Sequence, residues 1–308
     1  KEGDIYGIPF DELELNLINS QNQEDGVALD SFRLTRFNEY ELLGNGFFPF
    51  AVSDSMRFEL RGDGNLLVLL SDFTNFVQSP SADCSLNVHV SGTPQNPLVD
   101  QAELSIQDGR VNFANVIAPV RELSAQISFD PDNRYVDLEY LSGKMGESPF
   151  EIHNEPVEQI SSKRSLENIT IPGPDLNLGT IVVRTQDPVP LNIQGLMEPG
   201  EFGRLRFAGR TEGEDMVVAA YEGGYILRGM IYLSHSQIMF PFYERENNKK
   251  TGVHQFLENL YWDVEVVPME NNWFTRNYSG AIDEVYVNIM LDENYGGLEF
   301  TGRLANDT

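Results

Sequence analysis

Polar and apolar residues alternate with a period of two along most of the chain. Leu13, Leu15 and Leu17 share one register in "DELELNLIN", Phe32 and Leu34 the next in "DSFRLTRF", and Met56, Phe58 and Leu60 a third. Leu86, Val88 and Val90 continue the rhythm, as do Val136, Leu138 and Tyr140. Successive side chains of a strand point to opposite faces, so each run predicts a strand with one apolar and one wet face. Helical signals are thin. In "GNLLVLLSDFTNFV" (64–77), Leu66, Leu67, Leu69, Leu70 and Phe73 are spaced to suit a short amphipathic helix, and we expect one there. In "HQFLENLYWDVEVVP", Leu260, Trp262, Val264 and Val266 alternate strictly until Pro268, which predicts a strand. "GMIYLSHSQIMFPFYE" (229–244) breaks at 234–237 and resumes. It reads as a hairpin with Ile231 and Leu233 on one arm, Ile238, Phe240 and Phe242 on the other, and His235 in the turn.

The rhythm lapses once, over the Pro/Ser/Gly-rich segment 156–179. Alternation restarts in the same style beyond it. The expected organisation is a first section over 1–155, a loop or soft boundary over 156–179, and a second section over 180–308 that continues the same sheet. The two halves also resemble each other. Ile106, Val111 and Phe113 answer Leu233, Ile238 and Phe240, and Ile127 with Phe129 answers Val264 with Val266.

Charge excludes one class of partner. With 21 basic and 48 acidic residues the net charge is −27, which repels nucleic acid over the whole surface. A hydrophobic content of 41% is nevertheless too high for a disordered acidic chain. Cys84 is the single cysteine, so no internal disulfide forms, and a strand position suits a packed thiol better than a nucleophile. No apolar run approaches the roughly 18 residues of a membrane helix. The opening "KEGDIYGIPF" lacks a signal peptide and an initiator Met and reads like the middle of a repeating pattern, so we expect a piece of a longer parent chain.

Catalytic constellations do not assemble. His89, His153, His235 and His254 lack metal-ligand spacing, and "DPDNR" (130–134) and "DENYGG" (292–297) read as turns rather than calcium loops. No GxSxG, P-loop or GxGxxG stands in its required context. We expect no enzyme, no cofactor and no metal.

The order "GTPQNPLVDQAELSIQDGRVNF", then "ISFDPDNRYVDLEYLSGKMG", resembles the C-terminal regions of TamB-like proteins within the wider AsmA-like group. "LNIQGLMEPGEFGRLRFAGRTEGEDMVVAAYEGGYILRGMIYLSHSQIMF" is similar to the segment that usually follows, and the likeness covers roughly 80–305. The resemblance implies an all-β fold: an elongated, curved antiparallel sheet forming an open hydrophobic trough, a β-taco, built from repeated units. It implies a periplasmic protein of the cell envelope, anchored in the inner membrane through a segment outside this sequence. The implied work is lipid transport, with phospholipid acyl chains shielded in a hydrophobic groove, or outer membrane biogenesis through assembly of β-barrel proteins. The implied partners are phospholipid acyl chains, an outer-membrane β-barrel protein and the remainder of the parent chain, with no nucleic acid.

On this reading the groove is lined in the first half by Leu86, Val88, Val90, Leu104, Ile106 and Val111, and then by Phe113, Ile127, Phe129, Val136, Leu138 and Tyr140. In the second half it is lined by Ile231, Leu233, Ile238, Phe240 and Phe242, then by Leu260, Trp262, Val264 and Val266, and finally by Val285, Val287, Ile289, Leu291, Leu298 and Phe300. Asp137, Glu139, Asp263 and Glu265 would face water on the other side. The same alternation also fits a closed β-sandwich, structural or adhesin-like, whose apolar side chains form a dry core without lipid cargo. A β-rich polysaccharide-processing enzyme is a third reading, and it requires a polar cleft with converging acids.

Overall fold

Almost every alternating run forms a strand. The computed structural model describes residues 3–5, 8–19, 26–69, 77–113, 118–161, 163, 165–171, 176–192, 197, 202–240, 260–276 and 289–291. For 4–5, 19, 238–240, 260, 273–276 and 289–291 it describes the backbone. β1 (Gly3–Ile5) and β2 (Ile8–Phe10) form a short antiparallel pair. A long meander follows: β3 (Glu12–Asn19), β4 (Gly26–Arg36), β5 (Tyr40–Pro49), β6 (Arg57–Gly64), β7 (Val77–Thr93), β8 (Asn96–Phe113), β9 (Val120–Asp130), β10 (Tyr135–Met145) and β11 (Ser148–Glu155). Each pairs antiparallel with the next. The sheet continues through β12 (Ile169–Ile171), β13 (Leu176–Thr185), β14 (Val189–Leu191), β15 (Gly203–Ala208), β16 (Met216–Tyr221), β17 (Gly224–Ser234) and, beside β17, Leu260–Pro268, which is β19. Among the described residues this sheet has sixteen strands and does not close on itself. The fold is all-β, as the alternation leads one to expect, and the unclosed sheet is consistent with the curved trough that the family resemblance implies.

Curvature comes from aligned bulges. Ser79, Asp108 and Glu122, on three neighbouring strands, each adopt positive φ (45°, 49° and 51°). The pairing register slips at the same places. A bulge adds an unpaired residue that bends its strand and raises local twist. Three in a row make a crease, and beyond it Val111 and Val120 join Cys84, Ile106, Leu123 and Ala125 in one buried cluster on the inner face. A turn closes this cluster from above. The stretch 64–77, where a short helix is expected, is described to residue 69, and its Val68 and Leu69 amides donate to the Asn65 and Leu66 carbonyls (3.3 and 3.2 Å). Leu66 and Leu67 of this helical turn are buried in the cluster.

Two pairs of strands are single strands interrupted. β16 and β15 run in the same direction along one edge of β17, with Val217 opposite Arg228 and Ala208 opposite Met230. Residues 209–215 loop out between them. At the break Gly229 (φ +153°) is required, because a Cβ there would meet the Ala208 carbonyl oxygen at 2.5 Å. β13 and β14 are interrupted at the same level, and the Thr185 hydroxyl accepts the Phe207 amide (2.8 Å) where the ladder fails.

The 229–244 stretch is not a hairpin among the described residues. β17 does not pair with β18 (Gln237–Phe240), which lies parallel to β20 (Asn272–Arg276) in a separate three-stranded sheet with β21 (Ile289–Leu291). β17 and β19 are also parallel. The two strands therefore kink together, at 234–236 and 269–271, with His235 and Asn271 both at positive φ (49° and 56°). Their side chains meet at 3.1 Å. Asp108 has the same φ as His235, but β8 runs on through its bulge whereas β17 turns the corner. The alternation is alike in the two places, and local backbone conformation alone does not separate a bulge from a corner.

Two buried asparagines substitute for missing ladder bonds. Asn154 accepts the Leu138 amide (2.8 Å) and donates to the carbonyls of Val136 (2.6 Å) and Leu178 (2.7 Å). Asn272 does the same at the corner, accepting the Ser236 amide (3.2 Å) and donating to Leu233 (2.7 Å) and Met269 (3.1 Å). On the outer face, Val157, Ile160 and Leu166 of the 156–179 segment pack over Val182, Val217, Ala219 and Ile226.

Candidate functional site

Register assembles the inner face into rows that cross the strands. One runs Leu13, Leu34, Leu42, Gly62, Leu86, Leu104, Ile127, Leu138. The next runs Leu15, Phe32, Gly44, Leu60, Val88, Ala102, and the third Leu17, Leu29, Gly46, Phe58, Val90, Val99. None of these positions is charged. At about 4.8 Å per strand, a six-strand row is an apolar strip about 24 Å long. Glycines interrupt the rows where neighbours overlap them. A Cβ on Gly62 would meet Leu42 Cδ2 at 2.8 Å and Leu66 Cδ1 at 3.2 Å, and one on Gly46 would meet the Arg57 carbonyl oxygen at 2.5 Å.

Burial divides this face. Leu15 and Leu17 are 55% and 61% exposed, and Phe32, Phe58, Leu60, Val88 and Val90 are half-buried. Toward the crease the face fills, with Ile106 at 6% and Ala125 at 0%. Of the residues expected to line a groove, Val88, Val90, Ile127, Phe129, Val136 and Leu138 sit half-buried in or beside the rows, and Leu86 and Leu104, also half-buried, pack against the buried cluster. Ile106 and Val111 are core, with Phe113 packed against it. Ile231 and Leu233 lie in a second core with Met197, Leu205 and Met216, and Val264 and Val266 pack against them.

Tyr140 needs correction. A register slip between Leu138 and Tyr140 makes Glu139 the extra residue, so Tyr140 pairs with Gln126 in the polar row of Ser85 and Ser105. Leu141 takes the inner position opposite Ala125. Trp262 pairs with Leu227, and Leu260 with Tyr225. Ile238, Phe240, Ile289 and Leu291 fall in the three-stranded sheet. Phe242, Val285, Val287, Leu298 and Phe300 lie outside the described residues, as do His254 and the turn at 292–297.

No family model, curated protein or solved structure matches this chain. The geometry therefore carries the functional reading.

Outside the trough the surface is charged, and several of its cations are paired with carboxylates. Glu14, Arg33, Leu43, Arg61, Asn87, Glu103, Ser128 and Asp137 form one outer row. Asp263 receives the Arg228 guanidinium at 2.8 Å and also that of Arg210, which ties the 209–215 excursion to β19. An open cavity of about 290 Å³ lies between Glu122, Lys144, Glu151 and Arg184. Both cations there are already bonded, Lys144 to Glu122 (2.8 Å) and Arg184 to Asp215 (2.7 Å). Among the described residues no three His, Cys, Asp or Glu side chains are placed to hold a metal, and no helix is long and apolar enough to cross a membrane. Burial pushes the Cys84 thiol above its ordinary pKa, the opposite of what a nucleophile needs.

Sequence reasoning left Leu15, Leu17, Phe32, Phe58 and Leu60 off the groove. Their alternation was visible, but only the register across β3 to β7 shows that they extend the rows of Val88 and Val90.

Proposed function

We propose that the open part of the inner face shields acyl chains of phospholipid, in the manner the TamB-like resemblance implies. The supporting observation is the pair of uncharged, half-exposed rows through Leu60 and Val88 and through Phe58 and Val90, on a sheet that does not close. Each methylene moved from water contributes about 0.8 kcal/mol, so ten of them supply several kcal/mol with no directional contact. A strip without polar groups suits a chain that slides, because every position offers nearly the same affinity. Under this reading the protein works as a passive, non-enzymatic envelope module, continued at its sheet edges by more of the parent chain or by an outer-membrane barrel protein.

The test is native mass spectrometry with lipid extraction, comparing wild type with Val88→Gln/Val90→Gln. Both positions are half-exposed, so the variant should keep its fold by circular dichroism and thermal melting. Phospholipid on the wild type and its loss from the folded variant is the expected result. The burial of Ile106, Val111, Ile231 and Leu233 favours a second reading, a structural module with filled cores and no cargo. That reading wins if neither protein carries lipid and neither takes up a fluorescent fatty acid.

A further inference from the structure

One end of the first half of the sheet carries large apolar side chains outside the inner rows. Phe50 and Val52, in the turn after β5, are 69% and 52% exposed. Ile18 at the end of β3, Phe48 at the end of β5 and Leu98 at the start of β8 are exposed too. Single exposed apolar residues are ordinary, but a contiguous group on one edge marks an interaction surface. These side chains stand at the same end of the sheet. Register places Ile18 beside Ala28 and Ala28 beside Phe47, and Val27 beside Phe48. The Met56 amide donates to the Gly92 carbonyl (2.8 Å), which joins the turn after β5 to the β7–β8 hairpin. In that hairpin the Leu98 side chain lies against Gly92, where a Cβ would meet Leu98 Cγ at 3.3 Å.

Charge identifies what this edge meets. Residues 42–53 and 84–99 hold no Asp, Glu, Lys or Arg in a chain that is 22% charged, although those 28 positions would carry about six at the average density. Both runs lead to this edge. The formal charges around the tips are Asp54 in the turn, Arg57 at the start of β6, and Asp100, which accepts from the Ser91 hydroxyl (2.8 Å). One exposed cation and two acids leave this edge close to neutral, so neither a strongly anionic nor a strongly basic surface finds a complementary field there. Uncharged loops tipped with Phe, Val and Leu match the boundary of a bilayer with net-neutral headgroups, where apolar tips enter the acyl region and Ser, Thr, Asn and Gln stay among the headgroups.

We propose that this edge docks on a zwitterionic lipid bilayer, with Phe50, Val52 and Leu98 inserting as its anchors. Because the tips lie beside the inner rows and not in them, the proposal stands independently of acyl-chain cargo. Docking would set the mouth of the trough, at Leu17, Phe58 and Val90, against the lipid.

The experiment uses the full chain with Val52→Cys labelled by an environment-sensitive nitrobenzoxadiazole dye. Cys84 is 2% exposed and stays unlabelled in the folded protein. Phosphatidylcholine vesicles should raise and blue-shift the dye emission, and Phe50→Ser/Leu98→Ser should weaken vesicle binding by about tenfold or more. Unchanged emission overturns the proposal. So does tighter binding to phosphatidylglycerol vesicles than to phosphatidylcholine. A dimer in sedimentation velocity that Phe50→Ser dissociates, without vesicle binding, also overturns it and assigns the edge to a second copy of the chain. Native mass spectrometry of the Phe50→Ser/Leu98→Ser variant separates the two readings. Retained phospholipid with lost vesicle binding supports docking and cargo as distinct properties. Vesicle binding by a wild type that carries no lipid leaves docking standing and removes the cargo.

Discussion

Replacing Asn154 by Ala removes a side chain that serves three backbone groups. The amide donates to the Val136 and Leu178 carbonyls and accepts from the Leu138 N–H, all within 2.6–2.8 Å, in a residue 8% exposed. An intramolecular hydrogen bond contributes about 1 kcal/mol net, and a buried group left without a partner costs about 1–3 kcal/mol. Water entering the space vacated by the amide recovers part of this, so the expected loss is about 2–4 kcal/mol. For a chain of this size that lowers Tm by roughly 4–8 °C. Asn154→Asp keeps the size and the acceptor for Leu138 but turns oxygens toward two carbonyls, so at neutral pH it should cost at least as much as alanine. Urea denaturation and thermal melting give the stabilities, and hydrogen–deuterium exchange over 135–140 reports the site. The Leu138 amide should exchange faster by about tenfold per 1.4 kcal/mol lost locally. If Asn154→Ala melts with wild type and Leu138 keeps its protection, the side chain is not a substitute for the ladder and the reasoning fails.

Three further outcomes follow from the same structure. Gly46→Ala should destabilise by about 1–3 kcal/mol because its Cβ meets the Arg57 carbonyl, whereas Gly62→Ala should cost less because Leu42 and Leu66 side chains can rotate; paired denaturation curves decide it. Tyr135 has a buried hydroxyl with no hydrogen-bond partner, and burial, with Asp137 and Glu155 nearby, pushes its pKa to about 12. The folded state thus holds this proton longer than the unfolded chain, so the stability it confers is present below pH ~10 and is lost between about 10 and 12. Tyr135→Phe should flatten the stability profile in that window and leave neutral-pH stability equal or higher, measured by denaturation against pH. Cys84 should resist Ellman's reagent in the native state and react on unfolding, which a steady native reaction at pH 8 would contradict.

The strand pattern was legible because alternation at Leu13 to Leu17 or Leu86 to Val90 is a property of single residues and their neighbours. What joins strands was less so. A single extra residue, Glu139, sends Tyr140 to the polar face, and nothing in "YVDLEYLSG" distinguishes it from its neighbours. The 229–244 stretch has the alternation and the break of a hairpin, yet its second arm pairs with β20 in another sheet, a choice made by segments far away in sequence. Asn154 and Asn272 read as ordinary polar residues until both ends of their bonds are in view. The candidate groove was half visible for the same reason. Its apolar positions could be listed, but whether one is open like Val88 or filled like Ile106 depends on the turn carrying Leu66 and on three aligned bulges.

The interruption between β15 and β16 uncouples chain length from sheet geometry. Ala208 and Val217 keep their partners on β17 whatever the loop between them contains, and a Cβ at Gly213 would touch nothing within 4 Å. Loop tips of this kind tolerate added sequence. The 209–215 excursion is thus a natural splice point: an epitope, a reporter or a further module placed at Gly213 would ride on the outside of the trough without shifting a single strand pairing.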